Sequence, residues 1–287
     1  MPITDFQRRN RKNHIGSSDA AAIVGLNKWK SAGDVFIEKT QDLPERDMGE
    51  AALIGTLCED ACLQWFAKDS GKKILRNQFR VHQNGFMAAH LDALVVDSKE
   101  IVEAKVIGIL TPFDRNQWGN EDSDQIPEQY IVQCQHELAV AGPEYETVYL
   151  PVLLGGVGFV KYRVQRNPDL IRELEVIETN FWKNNVQAGL PPPDSPPHME
   201  VIRSLKRIPN KIVPLDSGLI ENWLKAKEFL KAAETTEDFA KRAMISALGD
   251  AEQGDAEIGT LTYFTQERAS FVAKATSFRV PRFKKIK

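Results

Sequence analysis

The sequence predicts an α/β fold, a mixed β-sheet flanked by helices, with a helical and β-hairpin appendage at its C-terminal end. Three observations predict it. Apolar residues at helical spacing alternate with strand-like runs in the order helix, three strands, helix, two strands, helix. Five prolines within Pro191–Pro197 make a stiff connector that neither a helix nor a central strand accepts. The 287 residues, 42% hydrophobic and 27% charged, have the composition of a globular chain with a sizeable core and not of a disordered, collagenous or coiled-coil one. The expected division is a domain of residues 1–195 and an appendage of residues 196–287.

The elements follow in order. Ser17-Ser18-Asp19 before an alanine-rich run is an N-cap signal for a short helix ending near Gly25. Ile54, Leu57, Cys58, Ala61, Cys62 and Trp65 recur at helical spacing, so 51–68 reads as an amphipathic helix with Glu59 at the border of its apolar stripe. Segments 74–82, 85–96 and 100–107 read as strands, separated by the turn signals Asn84-Gly85 and Asp97-Ser98. A second long helix is expected over 127–141, halted by Gly142-Pro143, then a hairpin of 146–154 and 157–165, then a helix over 169–187. After the prolines, two helices (218–233 and 237–248) and a strand pair (260–265 and 270–274) are expected.

Charge and cysteine content narrow the function classes. Lys+Arg total 37 against 40 Asp+Glu, a net charge of −3, so a nucleic-acid site has to be a local patch. The N-terminus carries early charges and no apolar run, and Val148–Val160 is far short of the roughly 20 residues of a spanning helix, so a cytoplasmic protein with no membrane segment is expected. Three cysteines read as reduced thiols, and the Cys58–Cys62 spacing as an apolar helix face and not a metal site. Neither a P-loop, nor a His-Glu-x-x-His motif, nor a dinucleotide fingerprint is present.

Asp92, Glu103 and Lys105 are the group with chemistry in it. Residues two apart on a strand share a face, which puts Glu103 and Lys105 together, and hairpin pairing brings the preceding strand and Asp92 alongside. Two carboxylates on one face repel unless a cation or a proton lies between them. Hard oxygen ligands with room for water and phosphate oxygens suit Mg²⁺ or Mn²⁺, with Lys105 orienting a nucleophile or stabilising charge. Read alone, a Glu-x-Lys strand is as compatible with a solvated face and a weak ion pair.

The wider pattern is more specific. Ile15-Gly-Ser-Ser-Asp-Ala-Ala-Ala-Ile-Val-Gly25, Gly55-x-x-x-Glu59, Asp92, Glu103-Ala-Lys105 and Tyr130-Ile-Val-Gln-Cys-Gln-His136, then Phe181-Trp182 and Gly189-Leu-Pro-Pro, occur in this order. The set resembles the YqaJ-like viral recombinase family, relatives of bacteriophage lambda exonuclease within the PD-(D/E)xK nuclease superfamily, over roughly residues 11–193. The resemblance implies a Mg²⁺-dependent (or Mn²⁺-dependent) DNA exonuclease of phage origin, acting 5′-to-3′ on duplex ends in recombination. Its partners would be a single-strand annealing protein and further copies of itself in a trimeric ring.

Carried over by position, Asp92 and Glu103 would be metal ligands, Lys105 the catalytic lysine, Glu59 a support for the metal or its water, and Gln133 a contact to that water or to DNA. Arg11 and Ser18 would hold a terminal 5′-phosphate, with Tyr130 and Gln135 as further DNA contacts and His90 as an extra metal contact. Leu91 and Ala93 stand where the family has a proline and commonly a glycine, which leaves Asp97 as the alternative first ligand. An endonuclease of the same fold and a non-catalytic DNA-binding module are the competing readings. Basic clusters at Arg8, Arg9, Arg11 and Lys12 and at Arg279–Lys287 are candidate phosphate contacts, and Trp29 and Trp118 candidate stacking residues.

Overall fold

A computed structural model describes residues 11–43, 49–205 and 208–265. It divides into two compact units, residues 1–208 and 209–287. Among the described residues no helix is long and apolar enough to cross a membrane.

In the first unit, α1 (Ser17–Ile23), α2 (Ala32–Thr40) and α3 (Glu50–Ser70) precede β1 (Ile74–Val81), β2 (Ala88–Val95), β3 (Glu100–Val102) and β4 (Lys105–Ile109). A short α4 (Pro112–Arg115), α5 (Glu128–Ala141), β5 (Thr147–Gly155), β6 (Gly158–Gln165), α6 (Pro168–Phe181) with a π-helical extension (Trp182–Gln187), and α7 (Met199–Ser204) complete it. The sheet is mixed: β1–β2, β2–β3 and β5–β6 are antiparallel, while β3 and β4 both run parallel to β5. The parallel pairing requires a crossover, and α5 supplies it.

Each face of the sheet carries its own core. Leu91, Ile101, Val148, Leu150 and Tyr162 pack with Cys134 and Leu138 of α5 on one face. Ala93, Val95 and Val102 pack with Cys62, Leu63 and Phe66 of α3 on the other. Only the second half of α3 is seated this way; Ile54 and Leu57 of the expected stripe are 46% and 68% exposed. The stripe rule reads the helix as though the sheet ran beneath its whole length.

The strand expected over 100–107 is interrupted. From Glu100 to Ile107, β3 and β4 keep one register against β5, with Val102 opposite Tyr149 and Lys105 opposite Val152; it shifts only at Ile109. In that register the next ladder bond after Glu103 N–H to Tyr149 C=O (2.9 Å) would need an N–H from residue 151, which is proline. On the other edge, Ala104 N–H donates to Asp92 Oδ2 at 2.8 Å. β2 is also irregular here. Ala89 and Leu91 belong to the α5-side core while Ala93 and Val95 belong to the α3 side, so the alternation slips at Asp92. Opposite the slip Asn77 takes a left-handed φ of 56°.

The proline segment is held to the first unit. Ala32 N–H donates to Ser195 Oγ (3.2 Å), Ser31 Oγ to Pro196 C=O (3.0 Å) and His198 N–H to Asp34 Oδ1 (2.7 Å). Helix α2 is capped reciprocally by Ser31 and Asp34.

The second unit contains one helix where two are expected, α8 (Ser217–Leu248), N-capped by Asp216. No glycine or proline lies at the expected break, and the Thr235 and Thr236 hydroxyls bond back to Lys231 C=O and Ala232 C=O (2.8 and 2.9 Å), which leaves the ladder intact. The hairpin pairs β7 (Gln253–Ala256) with β8 (Gly259–Thr262), so the segment beginning at Thr260 pairs upstream. Residues 270–274 and the basic cluster 279–287 lie outside the described residues, as do Arg8 and Arg9.

Candidate active site

Four of the residues singled out by sequence meet where the ladder breaks, and a fifth, Glu59, lies within electrostatic reach of them. Asp92 comes from the slipped β2, Glu103 and Lys105 from the β3–β4 gap and the start of β4, Glu59 from α3 on one face and Gln133 from α5 on the other. Glu103, only 5% exposed, accepts two bonds on Oε1, from Lys105 Nζ at 2.7 Å and from Gln133 Nε2 at 2.5 Å. The ammonium of Lys105 also lies 5.6 Å from the centre of the Tyr130 ring.

The electrostatics are those of crowded carboxylates. Burial, then Glu103 and Glu59, push the Asp92 carboxyl well above its usual range against the pull of Lys105 and the Ala104 amide. Burial and Glu103 likewise raise Glu59. For Lys105, burial works against the charge, but Glu103 and Asp92 outweigh it and hold the ammonium above the ordinary lysine range.

Sequence reasoning missed Glu137, although it lies one turn after Gln133 on the same helical face. It is fully buried, accepts from Gln133 Nε2 at 3.1 Å through Oε1, and is pushed up to about 8 by burial and Glu103. Its Oε2 has no hydrogen-bond partner. A buried oxygen left without a donor costs free energy, and here it stands beside a cluster short of positive charge.

Hard oxygens, mutually raised carboxyls and the orphaned Glu137 oxygen fit a divalent ion such as Mg²⁺ or Mn²⁺. Among the described residues, no three His, Cys, Asp or Glu side chains already converge on one cation position. Glu103 has Lys105 and Gln133 as its present partners, and Asp92 has the Ala104 amide.

The other sequence candidates fare differently. His90 stacks on Phe79 (centroids 4.4 Å apart), and burial, then Arg11 and His14, lower its pKa. Arg11 is itself exposed, and its carbonyl accepts from the buried Lys39 Nζ.

Ser18 is exposed on the first turn of α1, whose N-cap is Gly16. Asp19, expected as part of a cap, is buried: it accepts from Gly16 N–H (3.1 Å) and pairs with Lys30 (2.7 Å) and Lys39 (2.6 Å). Gln135 does not reach the site. It is 1% exposed and spends both ends of its amide on the chain, donating to Gln165 C=O at 2.7 Å and accepting from Asn167 N–H at 2.9 Å. Trp118 packs against Tyr130 and Tyr162, whereas Trp29 is 85% exposed. Asp97 occupies a turn with φ 64°. The three cysteines are free, with Cys62 and Cys134 buried.

His136 reinforces the frame one turn from Gln133. Its Nδ1 lies 2.9 Å from Glu178 Oε1 on α6 and its Nε2 3.1 Å from Ala88 C=O at the start of β2, all without solvent contact at the pair.

Comparison with known proteins agrees with this architecture. Residues 7–144 match the YqaJ-like viral recombinase domain. The chain is 38% identical over 185 residues to YqaJ of Bacillus subtilis strain 168, a protein described as uncharacterized, across 63% of this chain and 56% of that one. It therefore spans little more than half of that relative's length. The alkaline exonuclease LHK-Exo of Laribacter hongkongensis is similar in structure, with a TM-score of 0.50 and 17% identity over 65% of this chain and 94% of its own. LHK-Exo in complex with dAMP matches over the same shares with a TM-score of 0.50 and 18% identity. At such identities the structural likeness is one of fold. Residues 7–144, which include Glu59, Asp92, Glu103, Lys105 and Gln133, are thus similar to the YqaJ-like viral recombinase domain.

Proposed function

We propose that this protein is a divalent-metal-dependent deoxyribonuclease that degrades duplex DNA from its 5′ ends during recombination. The observation that carries the reading is the convergence of Asp92, Glu103 and Lys105 at a break in the sheet, with Gln133 bonded to Glu103 and Glu59 of α3 within electrostatic reach of both carboxylates. Asp92 and Glu103 would hold Mg²⁺ or Mn²⁺, with Glu59 supporting from α3. The ion supplies neutralisation of phosphate charge and a more acidic water. Lys105, kept charged by its two carboxylate neighbours, donates to the phosphate oxygens or the attacking water. Gln133 fixes the rotamer of Glu103 and is itself fixed by Glu137. Arg11 and Ser18 hold the terminal phosphate, for which the planar guanidinium fork is suited. A ring of three copies and a single-strand annealing partner belong to the same proposal.

The test is a digestion time course on 5′-phosphorylated, 5′-hydroxyl and covalently closed duplexes, with Mg²⁺ or with EDTA. Glu103→Gln and Lys105→Ala should each lower the rate by about 10²–10³, with folding retained. Arg11→Ala should erase most of the preference for a 5′-phosphate. Full activity in EDTA or in Glu103→Gln would falsify the nuclease assignment. Equal slowing of both linear substrates by Arg11→Ala would remove the 5′-end reading, and cleavage of closed circles would favour an endonuclease.

A further inference from the structure

The chain has five tryptophans. Trp65 stacks on Phe159, Trp118 packs on Tyr130 and Tyr162, and Trp182 stacks on Phe86, while the Trp223 ring meets the Lys227 ammonium at 4.8 Å. Trp29 differs from the other four. It is 85% exposed and, among the described residues, has no ring or cation partner. Tryptophan is highly buried on average, so one left in water is the informative exception. Its place is nonetheless fixed. Asn27 Oδ1 accepts from Trp29 N–H at 2.8 Å and from Lys30 N–H at 3.1 Å, closing the turn that connects α1 to α2.

The turn is tied to both flanks of the candidate active site. On one side Lys30 Nζ reaches Asp19 Oδ1 at 2.7 Å. Asp19 follows Ser18 in α1, and its Oδ2 accepts from Lys39 Nζ at 2.6 Å, which also donates to the Arg11 carbonyl. On the other side Lys28 Nζ lies 3.5 Å from Asp114 Oδ1 of α4. That segment continues to Trp118, which packs on the Tyr130 ring facing Lys105 Nζ. The indole is therefore carried by a turn anchored at one end to the corner of Arg11 and Ser18 and at the other to the wall behind Lys105. We infer that Trp29 is a stacking platform for the nucleobase at the 5′ end of the substrate strand, and so a residue that recognises a DNA end. The inference rests on the duplex-end nuclease proposal, in which Arg11 and Ser18 hold the terminal phosphate.

The chemistry around the ring favours nucleic acid over a protein partner. A protein-docking site would surround the indole with apolar surface, yet its neighbours on the turn are Asn27, Lys28 and Lys30, with Leu26, 38% exposed, as the exposed apolar one. Lys28 keeps 67% of its side chain exposed, and its long contact to Asp114 leaves the ammonium open to a phosphate. Every base has a π face, so the contact tolerates any sequence, as the digestion of arbitrary duplex requires. Inside a duplex both faces of a base are covered by its neighbours. A terminal base has one face free, which makes a fixed, exposed ring selective for ends.

The experiment follows binding of 5′-phosphorylated duplexes that carry 2-aminopurine either at the 5′ terminus or well inside. The protein is the full chain with Lys105→Ala in Mg²⁺, which holds DNA and cuts it slowly. With Trp29 present, binding should quench the terminal fluorophore and leave the internal one unchanged. Adding Trp29→Ala or Trp29→Leu should abolish that quenching and weaken binding by about 5- to 150-fold, whereas Trp29→Phe should keep most of both. Because the ring is exposed, Tm should stay at its value with Trp29 present in all three. Equal quenching and affinity in Trp29→Ala would overturn the platform and leave the nuclease proposal standing. So would rescue by Trp29→Leu as full as by Trp29→Phe, the mark of plain apolar contact. A changed mass in light scattering with quenching unchanged would also overturn it, since Trp29 would then be a contact between copies. If no variant bound duplex and the wild type digested none, the platform would fall together with the nuclease proposal beneath it.

Discussion

The buried pair His136–Glu178 yields a prediction whose size and sign both follow from the structure. The perturbation is Glu178→Gln, which keeps shape and an acceptor oxygen but removes the charge. At 2.9 Å the attraction is roughly 6 kcal/mol for an effective dielectric constant of 20, and much of it offsets the cost of burying both ions. A net loss of about 1–3 kcal/mol is expected, or about 2–12 °C in Tm for a unit of roughly 200 residues.

Burial alone would lower the imidazole pKa, but Glu178 outweighs it and raises it above 6.5. The stabilisation is therefore complete below the ordinary histidine pKa and fades as pH rises through the raised value. Tm measured by differential scanning calorimetry between pH 5.5 and 9 should show the largest gap between wild type and Glu178→Gln at the acid end, narrowing with increasing pH. His136 ties α5, and hence Gln133, to the strand bearing Asp92, so activity in the variant should fall along with Tm. A gap of constant size across the range would refute the ion pair.

Two further predictions concern the site and its frame. Asp92 and Glu59 have raised pKa values, so their stabilising protonated forms are lost as pH rises, and a cation should replace the proton. Mg²⁺ at a hundredfold excess over its Kd should add about 2.7 kcal/mol and about 5–10 °C to Tm at pH 8, little at pH 4, and little in Asp92→Asn at either pH; a shift independent of Asp92 would place the ion elsewhere. At Gly33 an added Cβ would come within 2.6 Å of the Pro197 nitrogen, so Gly33→Ala should cost about 1–3 kcal/mol and speed proteolysis in the proline segment. Unchanged Tm and cleavage in that variant would mean that the segment is not docked on α2.

Residue type and spacing alone carried a good part of this protein. The order of strands and helices was legible because a period of 2 or 3.6 is a local property of the chain, and the α5 and β5–β6 boundaries fall within a residue or two of expectation. The capping pair of Ser31 and Asp34 was equally local, and α2 was there to be read from it. Asp92, Glu103 and Lys105 were visible as a set because their order in the chain is specific. Their geometry was not, since it depends on residues distant in sequence. Pro151 on a neighbouring strand lacks the donor that would have carried the ladder past Glu103, and on the opposite edge the Ala104 N–H meets the Asp92 carboxylate of β2. Glu137 became significant only when its helix packed beside Glu103, and Gln135 lost its candidacy when the end of β6 and the cap of α6 each claimed one end of its amide. Periodicity is written into neighbouring residues. The surroundings of a side chain are decided by whichever segment arrives opposite, and only the tertiary structure decides that.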